Sequence, residues 1–337
     1  MDVRSSTPLL DSLTRAGSHD TSRSSEADIW AVPDVGRLLR DWDRSLRSGN
    51  YPHTTRYNYL LAAAQPGRYL AEHSPDPDAD DGAADPTVVT RAHVESFQAW
   101  MISTRSASKA VNKHKGLQQF FRWLMVDEQA IDASPMQRVR MPKTPIKLVP
   151  VLRDEDTTLL LIACKGSGFV NLRDEALIRL YANTGARLSE VGTLLVEDLD
   201  LTSESVHYRG KGAKDRRVRF GPKTARALSR YLRARDKHKA ADLPQPWLAE
   251  RGTAPLTPNG IKIRLKRLGM AAGVAHVHAH RWRHSDAHQW KLAGGDTGDL
   301  MLVLGWTSED MPRHYGASAA AERALQTQAR LAIGERI

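Results

Sequence analysis

A mainly α-helical protein of two domains, with one small antiparallel sheet, is the architecture this sequence predicts. Three observations carry it. Apolar residues recur at helical spacing through most of the chain; the run Arg138 to Leu152, RVRMPKTPIKLVPVL, is rich in proline and cations and has no period; and two short strand-like stretches flank a glycine–lysine turn. At 337 residues, each half is large enough to bury its own core. The 41% hydrophobic and 26% charged content is that of a soluble globular protein, and no apolar run approaches bilayer length, so no membrane partner is expected. The expected division is a disordered leader over 1–27, an N-terminal four-helix domain over 28–137, a linker over 138–152 and an α-rich domain with the sheet over 153–337.

The leader mixes short apolar clusters with Ser, Thr and charges and lacks the continuous apolar core of a signal peptide. From Asp34, the stripe Val35, Leu38, Leu39, Trp42 and Leu46 predicts an amphipathic helix with arginines outside. A second helix spans about Thr54 to Glu72, kinked or split by Pro66, and the acidic run His73 to Pro86 reads as a loop. Thr90 caps a third helix with Val94, Phe97, Trp100 and Met101; Ser106 or Ser108 starts a fourth with Leu117, Phe120, Phe121 and Leu124. Lys109, Lys113 and Lys115 gather near the start of the fourth, where they either face a phosphate backbone or are simply solvated.

Beyond the linker, helices are expected over about Asp154 to Cys164 and Arg173 to Asn183, the second ended by Gly185 as C-cap. That places Arg187 in a turn, before a helix opened by Ser189 and Glu190. Strands Ser205 to Tyr208 and Arg217 to Phe220 make a hairpin with Lys211 and Lys214 at its tip. Helices follow over about 222–237 and, with Thr257 as N-cap and Pro258 at the first helical position, to Ala272. Lys262, Arg264, Lys266 and Arg267 make the latter basic, for DNA-backbone contact or solvation. The next helix carries His280 and ends near Gly294-Gly295; a short helix from Thr297 to Leu304 leads to Trp306, a segment from Ser308 carries Tyr315, and an Ala-rich helix closes the chain.

The formal charge of +10 favours an acidic polymer as partner, most simply nucleic acid, and the single cysteine, Cys164, excludes an intrachain disulfide and fits a reducing cytoplasm. No Gly-rich phosphate loop is present, so ATP or dinucleotide chemistry is not indicated. His280 and Arg283, three apart on a helix, share a face, which suits an oxygen-rich anion because guanidinium binds phosphate through parallel hydrogen bonds. A base and clustered positive charge near Tyr315 would lower the cost of forming phenolate.

Read together, these residues resemble the tyrosine recombinase (phage integrase) family. Thr184-Gly185-Ala186-Arg187-Leu188-Ser189-Glu190 is similar to its first arginine motif and Gly210-Lys211-Gly212-Ala213-Lys214-Asp215-Arg216 to its β-hairpin lysine motif. His280-Arg281-Trp282-Arg283-His284 resembles the histidine-x-x-arginine box, and Leu304-Gly305-Trp306 with Tyr315 the final box and nucleophile. Two positions depart from the usual pattern: Trp306 stands where histidine is common, so it can donate a hydrogen bond but cannot exchange a proton, and Trp282 replaces a frequent leucine, expected as a packing change. The resemblance implies a core-binding domain before the catalytic one, the two forming a clamp around double-stranded DNA, and an active homo-tetramer assisted by an accessory DNA-bending or directionality protein. It also implies that Tyr315 attacks phosphorus to leave a 3′-phosphotyrosyl link. Arg187 and Arg283 would stabilise the pentacoordinate state, Lys211 would protonate the 5′-oxygen, His280 would act as acid/base or donor, and Trp306 would steady the phosphate, with no cofactor and no metal.

Each residue alone is ordinary; order and spacing make coincidence improbable. Lys214 rivals Lys211 within the hairpin. The histidines at 276, 280, 284 and 288 stand at i,i+4 spacing but lack the glutamate of a zinc motif. A type IB topoisomerase-like relaxing enzyme, a DNA-binding protein with vestigial catalytic residues and a metal-dependent nuclease are the competing functions. Residues Ala319 to Ile333 either dock on a neighbouring protomer or pack on their own core.

Overall fold

The structure, a computed structural model, describes residues 33–145, 150–210 and 215–336. The chain divides into two compact units, Met1–Ile146 and Lys147–Ile337.

The first unit is a bundle of four long helices, α1 (Pro33–Ser48), α2 (His53–His73), α4 (Arg91–Thr104) and α5 (Ala107–Val126), with a short α3 (Ala79–Ala84) between them. The stripe Val35, Leu38, Leu39, Trp42 and Leu46 is buried as its spacing requires, and the Trp42 ring stacks on Tyr59 and tilts against Phe120. Thr90 caps α4 by accepting from His93 N–H, and Ser106, rather than Ser108, caps α5.

Two local expectations give way. The helix α2 runs through Pro66 as one element, so of the expected kink or split the split does not occur. Proline in a helix interior costs about 3 kcal/mol. Here Pro66 is itself buried with Leu60, Tyr69 and Leu70, and burial of each large apolar side chain contributes about 1.5–3 kcal/mol, enough to offset it. Against α2, helix α5 packs so closely at Gly116 that a Cβ there would lie 2.4 Å from that of Ala62. The acidic stretch expected as a loop folds into α3 and a 3-10 turn, Pro86–Val88, with Asp80 and Asp81 in the first turn of α3, where the helix dipole favours them.

The second unit contains α6 (Asp154–Ala163), α7 (Phe169–Thr184), α8 (Leu188–Gly192), a three-stranded antiparallel sheet of β1 (Leu199–Asp200), β2 (Ser205–Tyr208) and β3 (Arg216–Arg219), then α9 (Pro222–Arg235), α10 (Pro258–Ala272), α11 (Ala279–Leu292), α12 (Thr297–Leu304) and α13 (Asp310–Leu331). Its central element is α7: Ala176, Leu177, Ile178, Leu180 and Tyr181 are all buried, so the helix is covered on most sides. Tyr181 stacks on Trp282 of α11, with centroids 5.6 Å apart, so Trp282 packs as a core residue. The sheet is in register with Val206 opposite Val218 and Tyr208 opposite Arg216; β1 adds a third strand to the expected hairpin.

The segment around Tyr315 and the Ala-rich helix, expected as two pieces, form the single helix α13. Pro312 lies in its first turn, where no intrahelical N–H bond is lost, and the alanines favour continuation. α13 packs on α11 of the same chain: His288 Nε2 lies 3.1 Å from Glu322 Oε2, and Arg323 donates to the Lys291 carbonyl. Among the described residues, no helix is long and apolar enough to cross a membrane.

Candidate active site

The site begins where α7 stops. Gly185 adopts φ 53° and closes the helix; a Cβ at that position would lie 2.8 Å from Asp286 Oδ2 and 3.0 Å from Leu304 Cδ2, so both conformation and space call for glycine. The next turn delivers Arg187 in extended geometry as the N-cap residue of α8. Its backbone N–H donates to Glu190 Oε2 and its Nη1 to Glu190 Oε1, both at 2.7 Å, while Nη2 donates to the Gly305 carbonyl at 2.8 Å. The side chain remains 40% exposed, and three of its five N–H groups are not used in these bonds.

From the other side comes α11. Arg283 is 1% exposed; Nη1 donates to the Gly185 carbonyl at 3.2 Å and Nη2 to the Leu304 carbonyl, and the guanidinium lies 5.0 Å from the centre of the Trp306 ring, a cation–π contact. Leu304 and Gly305 are consecutive residues of the turn that ends α12, Gly305 at φ 63°. Two arginines from different elements are therefore seated on adjacent carbonyls of one turn. Trp306 follows at once, its backbone N–H bonded to the Met301 carbonyl, and packs with Ala287, Leu300 and Leu304.

His280 is exposed in the first turn of α11, one turn before Arg283, and stands edge-on to the buried His284 at 4.9 Å. His276 precedes the helix with φ 55°, so the helical histidine series starts at 280, not 276. Arg281, buried on the opposite side, holds the entry to the unit by donating to the Pro150 and Val151 carbonyls, and Ser285 accepts from the Leu152 N–H. Lys211 and Lys214 lie outside the described residues, and so does the Tyr315 side chain; position 315 itself falls in the second turn of α13.

Three residues of this neighbourhood were given no role by the sequence reading. Glu190, 8% exposed, accepts four hydrogen bonds, two from Arg187 and two from Arg216. Burial pushes its carboxyl up, but the bonds and charge of Arg216, with those of Arg187, outweigh this and hold the pKa at about 2. In the sequence Arg216 is the last residue of the Gly210–Arg216 motif and nothing more. The signal for it lay in strand alternation: Arg216 shares the inward face of β3 with the buried Val218, and a cation on such a face requires a buried partner. Asp286 lies against Gly185; burial pushes its carboxyl up to about 6 against the opposing pull of Arg283.

Of the residues expected to meet DNA, Lys109 and Lys115 are exposed on α5, and Lys113 is less so, its pKa lowered by burial to about 8. On α10, Lys262, Lys266 and Arg267 are exposed. Arg264 instead donates through Nε to the buried Asp174 at 2.5 Å, a carboxylate shared with Arg173.

Residues 150–322 match the model of the phage integrase family, and residues 38–131 that of a phage integrase N-terminal SAM-like domain. Tyrosine recombinase XerC of Ralstonia pickettii (strain 12J) is 31% identical over 279 residues, 76% of this chain and 81% of that protein. XerC of Bacillus pumilus (strain SAFR-032) is 32% identical over 232 residues, 67% and 74% of the two chains. Among solved structures, the XerH site-specific recombinase bound to palindromic difH substrate, a post-cleavage complex, superposes with a TM-score of 0.67 at 17% identity, covering 95% of this chain and 93% of that one. A lambda integrase dimer bound to a COC′ core site gives 0.60 at 15% identity, over 83% and 94%. At these identities the structural likeness is one of fold.

Proposed function

Because the chain belongs to the phage integrase family, as a site-specific tyrosine recombinase that acts on DNA, we propose a division of labour for its active site. Tyr315 Oη attacks a backbone phosphorus and the P–O5′ bond breaks, leaving a 3′-phosphotyrosyl link. The phenol proton passes to His280, and the departing 5′-oxygen takes a proton from Lys211. In rejoining, a 5′-hydroxyl attacks the same phosphorus and the tyrosine leaves with its proton restored. The phosphoester energy is kept in the link, so the balance closes without a nucleotide.

The observation that supports this reading is the seating of Arg187 and Arg283 on the successive carbonyls of Gly305 and Leu304. Glu190 already balances the charge of Arg187, and the N–H groups left over on a pair seated on one turn suit a further oxyanion; a phosphate gaining charge in a pentacoordinate state is the anion that gains most from them. Arg187 offers its remaining N–H groups directly. Arg283 is covered, so its contact with a phosphate oxygen requires the groups over it to move aside as DNA enters. Trp306, against Arg283, steadies that guanidinium and the phosphate. In this reading Lys109, Lys113, Lys115, Lys214, Lys262, Lys266 and Arg267 neutralise flanking phosphates, four protomers assemble on two duplexes with an accessory DNA-bending protein, and the enzyme works in the cytoplasm on nucleoid DNA.

The test is relaxation of a supercoiled plasmid carrying the native gene neighbourhood, in EDTA, with detergent trapping of covalent complexes. A protein–DNA band that survives EDTA and is absent from Tyr315→Phe is expected, with breaks at one mapped sequence. A band that persists in Tyr315→Phe, or cleavage only with added metal, overturns the assignment; breaks scattered over the plasmid point to a topoisomerase.

A further inference from the structure

Arg216 makes contacts that lead to both arginine-bearing parts of the active site. It opens β3 and faces Tyr208 in the last ladder pair of the hairpin, from which the loop carrying Lys211 departs. Its side chain is 9% exposed, so it is a structural cation and not a surface one. Nη1 and Nη2 reach the two oxygens of Glu190 at 2.7 and 2.9 Å, Nε donates to the Val303 carbonyl at 2.8 Å, and the guanidinium lies 4.9 Å from the centre of the Tyr208 ring. Glu190 in turn holds Arg187 by backbone and side chain. Val303 immediately precedes the two carbonyls on which Arg283 and Arg187 are seated. The turn passes so near that a Cβ on Gly305 would lie 3.2 Å from Arg216 Nη1 and 3.5 Å from Arg187 Nη1.

We propose that Arg216 is a positioning residue, which fixes the spacing of the Arg187–Arg283 pair and ties the base of the lysine-bearing hairpin to it without touching DNA. The inference rests on the tyrosine-recombinase reading of the site. Only a planar fork serves both oxygens of a carboxylate while a third N–H reaches a carbonyl; lysine keeps the charge but has neither the plane nor the reach in two directions. Without the fork, Glu190 has Arg187 as its remaining cation and draws that guanidinium towards itself, off the Gly305 carbonyl. The Val303 carbonyl loses its donor at the same time, so the turn that seats both arginines loosens.

Arg216→Gln and Arg216→Lys test this on the full chain, with the same plasmid as substrate. DNA affinity by gel shift stays at the wild-type value, while the single-turnover rate of covalent adduct formation falls about 100-fold in Arg216→Gln, the scale of loss for a misplacement near 1 Å, and less in Arg216→Lys. The acid limb of the rate profile also moves to higher pH in Arg216→Gln, because Glu190 then protonates more readily. A wild-type rate, an unmoved acid limb, or adduct and affinity falling together overturns the proposal. A wild-type enzyme that forms no adduct would sink the functional reading instead; a crystal structure of either variant then decides the inference, since Arg187 displaced from Gly305 supports it and Arg187 in place refutes it.

Discussion

Replacing Glu190 with glutamine tests the joint between the two arginine-bearing turns. The carboxyl, ordinarily at 4.5, is held at about 2: burial raises it, and the hydrogen bonds and charges of Arg216 and Arg187 more than reverse that. A depression of this size corresponds to about 3 kcal/mol of folding stability. Because the folded carboxyl ionises more readily than the unfolded one, this contribution is whole above about pH 5 and is lost as pH falls through 4.5 towards 2. Glutamine presents an amide to two guanidiniums and leaves both without their counter-charge. Removing one partner of a buried ionic cluster costs ~3–5 kcal/mol. Urea unfolding of the full chain, followed by tryptophan fluorescence, reads the second unit through the buried Trp247, Trp282 and Trp306, against a first-unit signal from Trp42 and Trp123 that Glu190→Gln leaves unchanged. Glu190→Gln should lose ~3–5 kcal/mol at neutral pH, and its deficit against wild type should narrow in acid as the wild-type carboxyl protonates. A deficit below about 1 kcal/mol, or one that does not narrow, would show that the four hydrogen bonds do not act as a charge-assisted cluster.

Three further outcomes are expected. Gly185→Ala places a Cβ against Asp286 and Leu304 in a left-handed turn, and should destabilise the second unit by ~1–3 kcal/mol in the same urea assay and slow adduct formation. Asp286→Asn should be more stable than wild type at neutral pH: the folded carboxyl, raised to about 6, resists ionisation, so the advantage should shrink as pH falls below 6 and vanish below the unfolded value of 3.8. Lys113, with its pKa lowered to about 8, should make DNA affinity weaken between about pH 7 and 9, and Lys113→Gln should bind more weakly at neutral pH without that added dependence, measured by fluorescence anisotropy at fixed salt.

Much of the fold lay in local pattern. The stripe from Val35 to Leu46, the Thr90 and Thr257 caps and the Gly185 stop each follow from a few neighbouring residues, because helical periodicity and terminal hydrogen bonds are satisfied within a turn or two. Arg187, Arg283 and Trp306, expected from an order of residue types that resembles a known chemistry, come together at one turn. The departures came where distant segments supplied the energy. Pro66 is carried inside α2 because tertiary burial outweighs a lost hydrogen bond, and the acidic stretch becomes α3 because it has α2 to pack against. Tyr315 lies within one continuous helix because its flanking segment docks along α11 through Glu322 and Arg323.

The sequence by itself determined the helical plan, the strands of the hairpin and the types of side chain available for chemistry, since periodicity, capping and residue type are properties of the chain read locally. Only the tertiary structure decided that Arg187 and Arg283 share the Leu304–Gly305 turn, that Glu190 and Arg216 bind that turn to the sheet, that the Asp286 carboxylate lies against Gly185, and that Arg264 serves Asp174 from α10. These depend on where backbone carbonyls and carboxylates end up after packing, and a buried charge selects its partner only once burial has made an unpartnered one too costly to keep.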